Sequence, residues 1–406
     1  CLVTAAPKVM EVTYWYPHGA PVDQAALKKA VELFNKENPD IKVVGEFVGG
    51  SGSGQGITDK LMIATSGGNP PDVVLFDRFM VGQWAEQGLF ENLTNLARSN
   101  KVTKDLFYDF AWQEASYKEN LYALPFDTDC RVLYYNKKMF KAAGLDPEKP
   151  PRSIKELEEY ATKLTKRVGN RYQVIGFIPW LSQGWLYTWG WAFGGQFQDP
   201  KTGKITANDP AIVKALEWQT EYAKQYGIEA ITNFSTASGG DINPFAAEMV
   251  AMMISGPWEI AGFKVNAPNL EYGVSYIPTP TGDNFNSWAG GWCYVIPKGA
   301  KAKEAAFRFA KFMTVGEGAR IYGEDTSHFM SKKELNEQFN WVQKDPRYKI
   351  FIELFPESYC RPVIPKGQLL WDELATATDN ALHGKGTPKE LLDKVTEKVN
   401  RELGYR

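Results

Sequence analysis

The chain has 406 residues, 44% hydrophobic and 23% charged, which is enough apolar material for two or more compact units with their own cores. Its net charge of −2 comes without a dense stripe of Lys and Arg, which argues against nucleic acid and anionic membrane surfaces as partners. The longest apolar run, Met249–Ile254, is strand-sized and far short of the ~20 residues that a membrane-spanning helix needs.

The first 80 residues predict alternating strands and helices. Val9–Trp15 reads as a strand that ends at Pro17. Asp23 is placed to cap a helix whose Ala26, Leu27, Ala30, Val31, Leu33 and Phe34 recur at helical spacing. Ile41–Phe47 is a strand, Ile57–Thr65 a helix closed by Gly67 and Gly68, and Val73–Phe76 a short buried strand. Such alternation implies a parallel sheet covered on both faces. Further on, Arg131–Asn136 and Tyr172–Ile178 read as strands, and Ser153 with Glu156 forms a capping box. Asp199–Thr206 reads as a turn-closed hairpin in preference to a calcium loop, because the alternating oxygen ligands are missing. A helix starts at Asp209-Pro210 and stops at Gly227. Strands recur at 251–254, 272–277 and 291–296, and beyond Lys301 helices are predicted over 301–313, 317–322, 331–343, 346–355, 368–383 and 388–403. No linker rich in Pro, Ser or charge divides the chain, so lobes built from interleaved segments are expected.

Thirteen tryptophans, many beside Gly, Pro or Asp, are the strongest chemical signal. The run Gly176–Gly195 holds Trp180, Trp185, Trp189 and Trp191, and Trp15, Trp258, Trp288 and Trp371 stand in similar surroundings. An indole offers a flat apolar face and one N–H donor. In a polar loop that face suits a ligand with apolar ring faces and hydroxylated edges, such as a sugar. Trp189, Trp191, Trp218 and Trp341 sit in helical patterns, where core filling is expected.

Other candidate chemistry is weaker. Gly49–Gly56 looks like a phosphate loop but lacks Gly-Lys-Ser/Thr, and reads as a loop that lets backbone approach a ligand. Asp127 and Asp129 offer a carboxylate pair for metal or acid/base work, although an extended chain is expected to aim them apart. Asp127 more simply accepts hydrogen bonds from sugar hydroxyls. Phe76, Asp77 and Arg78 end a buried strand, the edge at which open α/β sheets take ligands. Arg361 sits in a break between helices and is read as aimed at a ligand or buried structurally. Cys1, Cys130, Cys293 and Cys360 contain no Cys-x-x-Cys, and His18, His328 and His383 are dispersed, so neither a metal nor a cofactor is expected. One disulfide among the last three cysteines is compatible with the sequence.

Five stretches in this order resemble one family: Val12-Thr-Tyr-Trp-Tyr16; Phe34–Val43; Gly68-Asn-Pro-Pro-Asp-Val-Val74; Leu121–Asp127 with Leu133–Lys137; and Met253-Ile-Ser-Gly-Pro-Trp258. Gly290–Lys298, leading into Lys303–Phe307, also fits. Together they resemble the extracellular solute-binding proteins of ABC sugar importers, the family containing maltose-binding protein. The resemblance implies an α/β, two-lobed periplasmic-binding-protein-like fold, with discontinuous lobes, a hinge and an interlobe ligand cleft. Crossings are implied near 127–130, 277–287 and 312–318. One lobe would comprise 1–127 plus 280–315, the other 128–279 plus 316–406. The implied partners are an oligosaccharide, of plant or starch origin and di- to tetrasaccharide length, and the membrane subunits of an ABC importer. The expected protein is a monomer and not an enzyme.

The expected ligand-binding set is Trp15, Tyr16, Phe76, Asp77, Arg78, Asp127, Trp180, Trp185, Trp258, Trp288, Arg361 and Trp371. Trp258 and Trp371 match stacking positions of the family. Cys1 resembles the lipid-bearing first residue of bacterial lipoproteins after removal of a signal peptide. That implies an extracytoplasmic protein held to the outer face of the cell membrane through this lipid alone. Two readings compete: a glycerol-phosphate-type or monosaccharide binder using Arg78, Arg131 and Arg361, and a secreted glycan-degrading enzyme with Asp127 or Asp129 as acid.

Overall fold

A computed structural model describes residues 9–49, 55–169, 171–237 and 243–405. Cys1 and residues 50–54 of the Gly-rich loop lie outside them. The chain divides into two compact units, each assembled from separated segments. The first comprises residues 1–129, 290–345 and 363–365, and the second 130–289, 346–362 and 366–406.

The first unit is built on a five-stranded sheet ordered Ile41–Phe47, Met10–Tyr16, Val73–Asp77, Trp292–Val295 and Ala123–Pro125. The first three strands are parallel, and Trp292–Val295 runs antiparallel to both its neighbours. Alternation sends Val12 and Tyr14 into the core, where the Tyr14 and Tyr294 hydroxyls lie 3.0 Å apart. Val73–Phe76 is buried on every residue, as a central parallel strand covered on both faces requires. The helix Pro21–Glu37 opens with Pro in its first turn; Asp23 is not its cap but lies buried in that turn, accepting from the Tyr322 hydroxyl at 3.4 Å.

The second unit carries a five-stranded sheet ordered Tyr272–Ser275, Val132–Asn136, Val250–Ser255, Arg171–Ser182 and Lys166–Val168. Val250–Ser255 is parallel to Arg171–Ser182 and antiparallel to Val132–Asn136. Helix Ile154–Leu164 has the expected capping box of Ser153 and Glu156. Helices Pro210–Tyr226, Gly367–Leu382 and Pro388–Glu402 pack together. Trp189 and Trp191 are buried as expected, as is Trp341 in the first unit, whereas Trp218 is only half-buried. Asp199 accepts from the amides of Lys201 and Thr202, an Asx turn and not a cation loop.

The structure departs from expectation in further places. Residues 280–289, expected in the first unit, fall in the second, and 363–365, expected in the second, fall in the first. Residues 316–345 belong with the first unit: helix Glu317–Thr326 packs on Pro21–Glu37 through Tyr322–Asp23 and the Lys29–Asp325 ion pair at 2.6 Å. The helix expected over 331–343 is broken into Lys333–Asn336 and Asn340–Lys344. Buried Asn336 turns back to bond both backbone groups of Met330, and Glu324 accepts from the Asn340 amide to start the second piece. The strand expected to end at Ile178 runs on to Ser182, carrying Trp180 with it. Cys130 and Cys293 donate their thiols to the carbonyls of Phe351 and Phe76.

Candidate functional site

In the second unit, the strand Val250–Ser255 ends at Gly256-Pro257, and Pro257 precedes the helix Trp258–Asn266. Trp258 is that helix's first residue and keeps 37% of its surface exposed. Its ring lies over Gly256: a Cβ there would sit 2.0 Å from the indole, so only glycine admits this placement. The Arg131 guanidinium lies 5.7 Å from the Trp258 ring and 3.6 Å from that of Trp288. Gln183 accepts from Nε and Nη2 of Arg131 at 3.3 and 3.2 Å.

From there the aromatic surface continues. Arg361, 8% exposed, lies 5.3 Å from the Trp288 ring and 5.8 Å from that of Trp371. Trp371 approaches Trp185 at 4.9 Å, and Trp185, just before the helix Leu186–Ala192, is 40% exposed. Trp180 is half-buried, edge-on to Tyr222. The second unit thus brings together Trp180, Trp185, Trp258, Trp371 and Arg361 around Trp288 and Arg131. Trp288 itself is a support and not a platform: it is buried, its face is covered by Arg131, and its N–H goes to Thr188 at 2.8 Å.

In the first unit the outcome is different. Arg78 is not available to a ligand: it is 0% exposed and paired with Glu114 at 3.0 Å. It also donates to the carbonyls of Asp127 and Gly290 and to the Ser331 hydroxyl. Phe76 is core, edge-on to Trp84 and Phe90. Trp15 and Tyr16 point to opposite faces of their strand, and the Trp15 N–H is engaged by Glu46 at 3.0 Å, so the two do not act together. Asp77 is partly exposed at the strand's carboxyl end and accepts from the Phe79 amide, closing the turn.

Asp127 is 3% exposed and accepts from the Trp292 amide at 2.6 Å, while Asp129 accepts from that of Gly290. The two carboxylates therefore face the same neighbouring segment and are not aimed apart, because residues two apart in a strand share a face. Burial pushes the Asp127 carboxyl up to about 6, against the opposing pull of His328, the Trp292 N–H and Arg78. His18, just past the strand Met10–Tyr16, packs edge-on against Trp292 at 4.8 Å. Its Nδ1 is sealed without a partner, and burial, with His328, pushes its imidazole down to about 3. The expected set did not include Gln183, Trp292 or His18, and it named Arg131 only for the phosphate or monosaccharide reading. Trp292 and Gln183 stand inside the Trp-rich motifs, which is the one signal that points to them.

Aromatic faces beside guanidinium donors suit ligands with ring faces and hydroxyl edges, and the two discontinuous α/β units define a periplasmic-binding-protein-like fold. Residues 19–319 match the family described as bacterial extracellular solute-binding protein, and the chain belongs to it. It is 26% identical over 346 residues to the maltodextrin-binding protein MdxE of Bacillus subtilis, covering 83% of this chain and 78% of that one. It is 25% identical over 426 residues to a maltooligosaccharide ABC transporter solute-binding lipoprotein of Streptococcus pneumoniae serotype 4, covering 99% and 92%. Among solved structures, CpMnBP1 with mannotriose bound superposes with a TM-score of 0.83 at 29% identity, covering 96% of this chain and 99% of that one.

Proposed function

We propose that the protein binds an oligosaccharide of two to four units, of plant or starch origin, and delivers it to the membrane subunits of an ABC importer. The observation that carries this reading is the second unit's aromatic surface, where Trp258 and Trp185 stay 37% and 40% exposed beside Arg131, Arg361 and Trp371. Sugar ring faces lie on Trp258, Trp371 and Trp185, and the guanidinium groups of Arg131 and Arg361 address hydroxyls. Relatives named for maltodextrin and maltooligosaccharide, and a neighbour holding mannotriose, support the ligand class. The lipoprotein relative supports a lipid anchor on Cys1 that holds the protein outside the membrane. The reading also takes the protein as a monomer without catalytic activity. Among the described residues no helix is long and apolar enough to cross a membrane. The phosphate-binding alternative is weakened by Arg78, whose charge is held by buried Glu114.

Calorimetry against di- to tetrasaccharides of α-glucans, β-glucans, xylans and mannans tests the proposal. Micromolar or tighter binding of at least one series is expected. Absence of binding across all four series would remove the reading.

A further inference from the structure

Beside the aromatic surface, wholly within the second unit, lies a pocket of about 200 Å³ lined by Trp180, Trp185 and Trp371. Residues Leu374, Ala375, Thr378 and Leu382 line it too; with Trp371 they recur at the spacing of one helix face along Gly367–Leu382. Its uncommitted polar groups are mainly donors. The Thr378 hydroxyl is committed to the Leu374 carbonyl at 2.8 Å. The one carboxylate, Asp379, is mostly exposed and lies 3.2 Å from His383. The indole N–H groups of Trp180 and Trp185 meet no acceptor among the described residues. Tyr187, which also lines the pocket, is 2% exposed and carries its hydroxyl buried without a hydrogen-bond partner.

A site that is apolar and offers mainly donors is mismatched to a bare sugar. Each sugar hydroxyl must both donate and accept, and an unmet donor loses its hydration without compensation. A purely hydrocarbon group fits the walls but leaves the indole and phenol donors unpaired. An ester or amide carbonyl is acceptor-only and, in an acetyl group, brings a methyl with it. The geometry points to a subsite for an acetyl substituent on the bound sugar chain. Its methyl packs on Ala375 and Leu382, and its carbonyl oxygen accepts from the Trp180 or Trp185 N–H. This rests on the oligosaccharide reading above and assigns the ligand's decoration.

The test uses a matched pair of probes: an O-acetylated manno-oligosaccharide, and the same material after removal of its acetyl esters in mild base. Titrations are run on the full chain and on Ala375→Leu, whose added side chain fills the pocket; Thr378→Leu replaces it if its melting curve shows a folding defect. The acetylated probe is expected to bind the unaltered protein at least fivefold more tightly than the deacetylated one. In the filled variant that advantage disappears while deacetylated affinity holds. Equal or weaker binding of the acetylated probe, with the deacetylated probe still bound, overturns the subsite alone. An acetyl preference that survives filling the pocket places the acetyl elsewhere and also overturns it. If xylan, glucan and mannan fragments all fail as well, the oligosaccharide reading falls with it.

Discussion

Trp258 stays exposed because Pro257 and Gly256 fix it at a strand end instead of in a core. Trp258→Ala is expected to weaken sugar binding by at least ~1.5 kcal/mol, about tenfold, with little change in the ligand-free melting temperature. A loss of ~3–5 kcal/mol in apo stability at normal affinity would mark it as core. Gly256→Ala is expected to weaken binding to a similar degree by displacing the same ring. Asp127 and His18 make opposite pH contributions. The Asp127 carboxyl is raised from 3.8 to about 6, so between these values the folded state binds more protons than the unfolded state, and stability falls as pH rises. The His18 imidazole is lowered from 6.5 to about 3, so there the unfolded state binds more protons, and stability rises with pH. In the shared window of pH 4–6 the two oppose each other. Asp127→Asn, which keeps an acceptor for the Trp292 amide, is expected to steepen the acid loss of stability, on the order of 2 kcal/mol across the window. His18→Asn is expected to flatten that loss. Chemical denaturation at half-unit pH steps reads both, and slope changes of the same sign relative to the unaltered protein would refute the assignment. None of this was legible in the sequence, where Asp127 and His18 carry no mark of burial. The exposure of Trp258 was legible, because Gly-Pro before it dictates a turn.

The elements themselves were largely legible, since hydrophobic periodicity and Gly/Pro punctuation act within a few residues. The capping box at Ser153, the helix bounded by Pro210 and Gly227, and the buried strand from Val73 all follow from such local signals. What failed were elements set by distant partners. Asn336 breaks its helix because a backbone strand edge claims its amide, and that claim lies in no local pattern. Arg78 failed in the same way. It follows a strand end that reads as a ligand edge, yet Glu114, Asp127, Ser331 and Gly290 converge on it from four separate segments. That pair belongs to how the elements are tied. With both side chains buried, Glu114→Gln leaves a guanidinium without its counter-charge and is expected to lower stability by about 3–5 kcal/mol. Replacing both, as Arg78→Met with Glu114→Leu, is expected to recover part of the loss. Urea midpoints of the three variants check this, and a single-variant loss below ~1 kcal/mol would mean the pair is dispensable.

At the scale of the whole chain, the absence of any linker signalled interleaved segments, and the structure has them, but the later boundaries were misplaced. The passages at 345/346 and around 363–365 are too short to shift composition, and the helices beside them share one helical pattern regardless of the unit they join. The interleaving has a consequence for truncation. Every segment of the first unit ends by residue 365, whereas the second still needs 366–406. Those last residues bury Leu370, Leu374, Leu391, Leu392, Val395 and Val399, and their Asn400 and Asp393 tie down Ile205 and Asn208. At ~2 kcal/mol for each fully buried aliphatic side chain, their loss is on the order of 10 kcal/mol, comparable to the whole stability of a domain. A chain stopped after Pro365 is therefore expected to keep slow amide exchange in Met10–Tyr16 and Val73–Asp77 and to lose it in Val132–Asn136 and Val250–Ser255. It also lacks Trp371 and so is expected not to bind sugar. Hydrogen-exchange mass spectrometry on the full and shortened chains decides this. Protection retained in Val250–Ser255 would show that the second unit folds without its final two helices, and protection lost in both units would show that the two fold only as one.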